Sequence, residues 1–177
     1  MVTSATALAV AVLSGCASIY TARSTQRVQR DLQVAADRIT ARSERAAALA
    51  GYGAAAATFL AACTELAGEL APGTRDPARC TAKRDTCQER WARLREVRLP
   101  ATAHAGTHGA LRAAIQALDE AAQTLHDAMG TWFDEVRRYD WRTDKRRPDS
   151  VQSARRACEQ ALTRFEEVAG AMSTGTE

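Results

Sequence analysis

The side chains best equipped for chemistry in this chain are five cysteines, at positions 16, 63, 80, 87 and 158, and three histidines, at 104, 108 and 126. Thiols close disulfides, ligate soft metals and act as nucleophiles, and imidazoles ligate metals or move protons. Spacing decides among these uses. No Cys-x-x-Cys occurs, so the short chelate on which many zinc sites and redox dithiols are built is missing. His104-Ala-Gly-Thr-His108 sets two imidazoles four residues apart, a spacing that shares one face of a helix and can hold a metal. Gly106 and Thr107 fall between them, where a helix is expected to start with Thr107 as its cap, and no third ligand stands nearby in sequence. Both histidines are therefore expected in a solvated loop. His126 follows the apolar Leu125 and is expected to be partly exposed.

Nothing else assembles a catalytic pattern. His-Glu-x-x-His, a P-loop, Gly-x-Ser-x-Gly and the dinucleotide-binding glycines are absent, and so is the paired Glu-x-x-His of di-metal bundles. The carboxylate neighbours Asp119-Glu120, Asp134-Glu135 and Glu166-Glu167 fall mainly on polar helix faces. An enzyme is the least expected class, and no cofactor or metal is expected.

The elements that must carry these groups are helices. Hydrophobic residues make up 46% of the 177, nearly half of them alanine, and aromatics only 5%. Such a core is thin and brings backbones close together, which alanine-rich helices permit and sheets of β-branched residues do not. Period-2 alternation is absent. From Val28 a heptad runs through Ala35, Arg42, Leu49, Ala56, Cys63 and Leu70, with Leu32, Ile39, Ala46, Gly53, Leu60 and Ala67 interleaved. This is the spacing of a coiled-coil or bundle seam. It holds one register through Gly51-Tyr52-Gly53, which favours one long helix over a break there. Pro72-Gly73 ends that helix, and Asp76-Pro77 restarts the chain as N-cap and first helical residue. The second helix carries Cys80, Cys87, Trp91 and Leu94 on one face and is expected to stop near Leu99-Pro100. A third keeps 3-4 spacing from Leu111 through Ile115, Leu118, Ala122, Leu125, Met129, Trp132 and Val136 to Tyr139. A fourth shows Val151, Ala154, Cys158, Ala161, Phe165, Val168 and Met172, capped by Ser150. The sequence thus predicts an all-α fold, an antiparallel four-helix bundle with a long first helix and coiled-coil-like packing, over residues 25–172. Residues 173–177 are expected to be a disordered tail.

Ahead of the bundle the chain has a different character. Residues 1–15 carry no charge, and residues 5–13 are apolar except for Thr6. That run is too short to span a bilayer, which takes about 20 apolar residues, but suits the core of a signal peptide. It ends in Leu13-Ser14-Gly15-Cys16. This tetrapeptide resembles the lipobox of bacterial lipoproteins, an aliphatic residue, two small residues and a cysteine, at all four positions. The resemblance implies that residues 1–15 are a signal peptide cut after Gly15. It implies a diacylglyceryl thioether on Cys16, with further acylation of the new amino terminus. Two or three acyl chains anchor a protein stably, where one binds only marginally. Residues 16–24 become a lipidated tether. The location implied is the cell membrane or, in a host with two membranes, the outer membrane, which the non-acidic Ala17 resembles. Such signals usually open with Lys or Arg; none precedes Cys16, so a basic segment upstream of residue 1 is expected.

An exported chain with four remaining cysteines reads as two disulfides. Cys80 and Cys87 lie two turns apart on one helix, about 10 Å by the helical rise, beyond the roughly 7 Å that a disulfide tolerates between α-carbons. Folding the first hairpin near residue 75 brings Cys63 level with Cys87. The expected pairs are Cys63 with Cys87 and Cys80 with Cys158, and the alternative is Cys63 with Cys80 and Cys87 with Cys158.

The most unusual local composition lies between the third and fourth helices, where Arg137, Arg138, Arg142, Lys145, Arg146 and Arg147 accompany Tyr139 and Trp141. Basic residues interleaved with aromatics grip anionic surfaces. In an up-down bundle this loop falls at the end away from the anchor, so an envelope protein or an anionic envelope polymer is a better-placed partner than the anchoring membrane. A net charge of +3 is too small to argue for nucleic acid. The expected function is a membrane-anchored, non-catalytic structural or adaptor bundle in the cell envelope. The alternative is a bundle that binds a ligand or metal between its helices.

Overall fold

The structure, a computed structural model, describes residues 3–73, 75–141 and 147–173, with side-chain surroundings given for these residues only within 25–172. It contains four helices, α1 (Thr3–Glu69), α2 (Pro77–Ala105), α3 (Gly109–Arg138) and α4 (Asp149–Ser173), and no strand among the described residues. The chain divides into two compact units, Met1–Glu44 and Arg45–Glu177. The second is the antiparallel four-helix bundle. The residues expected as a tether, 16–24, are helical backbone within α1, and the tail residues 174–177 lie outside the described part.

Within the bundle α1 passes Gly51 and Gly53 without interruption. The two glycines differ in their surroundings. A Cβ at Gly51 would meet nothing within 4 Å, whereas one at Gly53 would come 3.2 Å from Cε1 of Phe165. Gly53 therefore lets α1 and α4 approach closely. The buried line along α1 is Leu49, Tyr52, Ala56, Phe59, Cys63, Leu66 and Leu70. From Leu49 on, the expected seam is buried at Gly53, Ala56, Cys63, Ala67 and Leu70 and half-buried at Leu60, and Tyr52, Phe59 and Leu66 are buried beside it. A bundle helix packs against more than one neighbour, so its apolar stripe is wider than a two-stranded seam, and the bulky residues take its centre.

Gly73, at φ 89°, turns the chain after α1, and Nε of Arg75 donates to the carbonyl of Leu70 at 2.8 Å. Asp76 caps α2, its carboxylate accepting from the Ala78 amide at 2.9 Å, with Pro77 following in the first turn. The hairpin register is regular. Four residues on from Phe59 to Cys63 matches four residues back from Trp91 to Cys87, and Glu65 to Glu69 likewise matches Lys83 to Arg79.

The end of α2 departs from the sequence expectation. The helix continues through Pro100 to Ala105. Proline removes the hydrogen bond to the carbonyl of Glu96 and costs about 3 kcal/mol in a helix interior. Here Ala101 and Ala105 are fully buried and Val97 packs against the core, so tertiary packing carries the helix past the break. It stops at Gly106, whose φ of 54° suits glycine. His108, not Thr107, then takes the N-cap position of α3, without a side-chain capping bond.

The expected core positions of α3 from Leu111 to Val136 are buried, joined by Ala114 and Phe133. Tyr139 is exposed. On α4, Val151, Ala154, Cys158 and Phe165 are buried. The ring of Phe165 meets Tyr52 edge-on, with centroids 5.3 Å apart. Ion pairs bridge neighbouring helices at the surface, among them Arg84 with Asp134 at 3.2 Å and Arg98 with Asp119 at 2.9 Å. Such exposed pairs contribute little each and serve mainly to hold register.

In the first unit the heptad continues without cover. Val28, Leu32 and Ile39 are 57%, 64% and 69% exposed. Among the described residues one stretch, Thr25–Glu69, is long and apolar enough to cross a membrane by length and composition, and 44% of its most apolar window is buried.

Candidate functional site

The hairpin register places the thiols. The Sγ atoms of Cys63 and Cys87 stand 3.3 Å apart in the buried layer next to Phe59 and Trp91. The fold thus brings together the first pair expected from sequence. The second is not brought together. Cys80 sits at the base of the hairpin and donates its S–H to the carbonyl of Glu69 at 3.4 Å, whereas Cys158 on α4 lies close enough to Cys63 to act on its ionisation. All four are buried free thiols in the structure, where two closed bonds were expected. The symmetric folding argument brought Cys87 level with Cys63, because both lie on one hairpin, and the two are in contact. It had no hold on Cys158, which lies on α4 outside that hairpin.

Their environments differ electrostatically. The hydrogen bond with Cys87, then burial, push the Cys63 thiol far above its ordinary value. The same bond lowers Cys87 against the opposing effect of burial. One thiolate shared by the pair is stabilised and a second is not. Burial first, and Glu159 second, push Cys158 up to about 11. Burial and then Glu69 raise Cys80.

Beside Cys87 a cleft of about 60 Å³ opens, lined also by Leu66, Arg84, Gln88, His126, Met129 and Gly130. Two of these are held by aromatic neighbours. The Arg84 guanidinium lies 4.3 Å above the ring of Phe133. The His126 imidazole stacks on Trp91 with centroids 4.8 Å apart and planes 18° from parallel, and its Nδ1 lies 3.4 Å from the Asp127 carboxylate. His126 is partly exposed, as expected, but the sequence reading missed this role. The available signal was its spacing of four from Ala122 and three from Met129, both core positions.

The chain matches no family model, no curated protein and no solved structure. Any function must be read from the molecule's own surfaces.

The basic segment is only partly described. Arg142, Lys145 and Arg146 lie outside the described residues; Arg137, Arg138 and Arg147 are exposed. Trp141, expected to face a partner, is turned back onto the bundle, its ring edge-on to Phe133 at 5.6 Å. The backbone explains why. The amide of Trp141 donates to the carbonyl of Val136, and that of Asp140 to Arg137, both at 3.1 Å, with Asp140 at φ 51° and Trp141 at φ 62°. These are the two bonds of a Schellman motif, with Asp140 in the left-handed position usually given to glycine. The aromatic residue thus closes the end of α3, and among the described residues of the segment Arg137, Arg138 and Arg147 carry the exposed positive charge.

The expected histidine loop is also corrected. His104 lies in the last turn of α2 and His108 at the cap of α3, separated by the turn at Gly106. Among the described residues no three His, Cys, Asp or Glu side chains gather closely enough to hold a metal. The side chain of Cys16 lies outside the described residues, its backbone being part of α1.

Proposed function

We propose that this protein is a lipid-anchored, extracytoplasmic helical bundle that acts as a structural adaptor in a bacterial cell envelope, without catalytic activity of its own. The observation that carries the reading is the exposed apolar line Val28, Leu32 and Ile39, which follows the Leu13-Ser14-Gly15-Cys16 tetrapeptide in sequence. A soluble domain normally covers such a heptad, and an uncovered one invites a second apolar helix. The occupant is an envelope protein offering that helix. The exposed Arg137, Arg138 and Arg147 add a surface for an anionic partner, protein or polymer. The core is filled by large side chains, Trp132, Tyr52, Phe59, Phe133 and Phe165, which favours scaffolding over ligand storage between the helices. In an oxidising compartment the facing thiols Cys63 and Cys87 close as a disulfide.

Mass spectrometry of the mature protein tests the anchor: cleavage after Gly15 and an acylated Cys16 are expected. A full-length polypeptide recovered lipid-free from the cytosol overturns the reading. A photo-cross-linker at Leu32 or Ile39 tests the adaptor role, with an envelope protein captured and capture lost when Leu32→Arg is added. Failure to capture any envelope protein removes the adaptor function.

A further inference from the structure

The Cys63–Cys87 contact is buried, with one of its two residues on the cleft wall. Cys87, 4% exposed, forms part of its wall, and Cys63, 1% exposed, lies behind it. A reagent entering from solvent meets Cys87 first. The cleft, about 60 Å³ in accessible volume, admits water-sized molecules. The burial of Cys87 then selects the reagent: a small oxidant reaches it more readily than a peptide disulfide, whose sulfur must come in line with an almost wholly buried one. The lining includes the Arg84 guanidinium, the Gln88 amide and the His126 imidazole. These are donors suited to an oxygen that gains negative charge.

We propose that Cys87 and Cys63 form a peroxide-reactive thiol pair, with Cys87 the attacking sulfur reached through the cleft and Cys63 the resolving sulfur. The substrate class is hydrogen peroxide or a peroxide of similar size. The Cys87 thiolate attacks one peroxide oxygen, the O–O bond breaks, and the departing hydroxide takes up a proton and leaves as water. Cys87 is then a sulfenic acid. The Cys63 sulfur attacks it, the S–O bond breaks as the S–S bond forms, and the hydroxide leaves with the Cys63 proton as a second water. The two thiols lose two electrons and the peroxide gains them. The sulfurs begin 3.3 Å apart and end at about 2.05 Å, a change within reach of side-chain rotation. The contact favours one thiolate shared by the two sulfurs, and Cys87, the member of the pair on the cleft wall, is the one placed to attack. Cys158 and Cys80 are buried away from this opening and held protonated. The inference rests on the reading of Cys63 and Cys87 as a closable pair and is independent of the lipid at Cys16.

The test uses the full-length protein, reduced and freed of reductant, then exposed in parallel to hydrogen peroxide, oxidised glutathione and diamide. Free thiols are alkylated at intervals and the bonds mapped by peptide mass spectrometry. Peroxide is expected to join Cys63 to Cys87, leaving Cys80 and Cys158 open to alkylation after denaturation. It should do so at least about tenfold faster than oxidised glutathione, because access and not only thiolate chemistry limits the exchange. In Cys63→Ser, whose helicity is checked by circular dichroism, dimedone is expected to label Cys87 after peroxide. If that variant does not fold, the wild-type rates decide alone. Equal or faster closure by oxidised glutathione, a peroxide-formed bond to Cys158 or Cys80, or a folded Cys63→Ser without a Cys87 adduct overturns the inference. Closure by diamide but not by peroxide overturns it while leaving the disulfide reading intact. Closure by none of the three overturns both.

Discussion

Gly53 lies against the ring of Phe165, leaving 3.2 Å between an added Cβ and the nearest ring carbon, while Gly51, two residues earlier on the same helix, faces open space. Helix propensity favours alanine over glycine by about 1 kcal/mol at both positions. Packing separates them. Gly51→Ala should stabilise the protein by roughly 0.5–1 kcal/mol, and Gly53→Ala should lose that gain to displacement of Phe165. Urea unfolding of the two variants measures the difference, and equal stabilisation would show that the α1–α4 approach is looser than the structure has it.

Asp140 occupies a left-handed position at the end of α3. An L-residue there is strained by roughly 1 kcal/mol relative to glycine. Asp140→Gly should therefore raise stability by an amount of that order, since the two Schellman bonds survive the change. Thermal unfolding checks it; a fall in stability would mean that the Asp140 side chain contributes more than its backbone strain costs.

Pro100 interrupts the hydrogen bonding of α2 without ending it. Pro100→Ala restores the amide that can reach the carbonyl of Glu96. The gain should be about 1 kcal/mol or more, because part of the roughly 3 kcal/mol proline penalty is offset by proline's stiffening of the unfolded chain. Circular dichroism should show almost unchanged helicity. A marked rise would indicate that residues 101–105 were not helical before.

Cys158 titrates at about 11 in the folded protein against an ordinary 9.0. For a thiol raised by burial, the unfolded chain gives up its proton first as pH climbs. Stability is thus intact below about pH 9 and declines as pH rises from there toward 11, on the order of 3 kcal/mol in all. Reduced protein unfolded in urea at successive pH values should show this decline, and Cys158→Ala should flatten its slope whatever it does to the baseline.

Leu32 and Ile39 are exposed and make no contribution to the bundle core. Replacing both with Arg should change the unfolding stability little, within about 0.5 kcal/mol, while abolishing capture of the proposed envelope partner. A large loss of stability would place these side chains inside a folded interface of the protein alone.

Much of this fold could be read directly because local chemistry and tertiary packing agree. Asp76-Pro77 caps α2, and the 3-4 pattern from Leu111 to Val136 is buried as its period demands. The disagreements have physical causes. Pro100 is a local signal against helix, overridden by burial of Ala101 and Ala105, which no local rule can weigh. The seam of α1 widens to take in Tyr52, Phe59 and Leu66 because a helix with several neighbours buries a broader stripe than a heptad template assumes. For the site, the Cys63–Cys87 contact follows from the symmetry of one hairpin. The places of Cys158 and of Trp141 depend on how the chain turns after α3, where a Schellman motif forms without the glycine that would have announced it.

The facing sulfurs have one more consequence, for the fate of a damaged molecule. They lie 24 residues apart in the chain, and the exposed turn around Gly73 is enclosed between them. Once the sulfurs are bonded, a protease that severs this turn produces no free fragments. The two arms stay riveted through their interior until a reductant reaches the bond, so a nicked protein would migrate intact on a non-reducing gel and fall into two bands only when reduced.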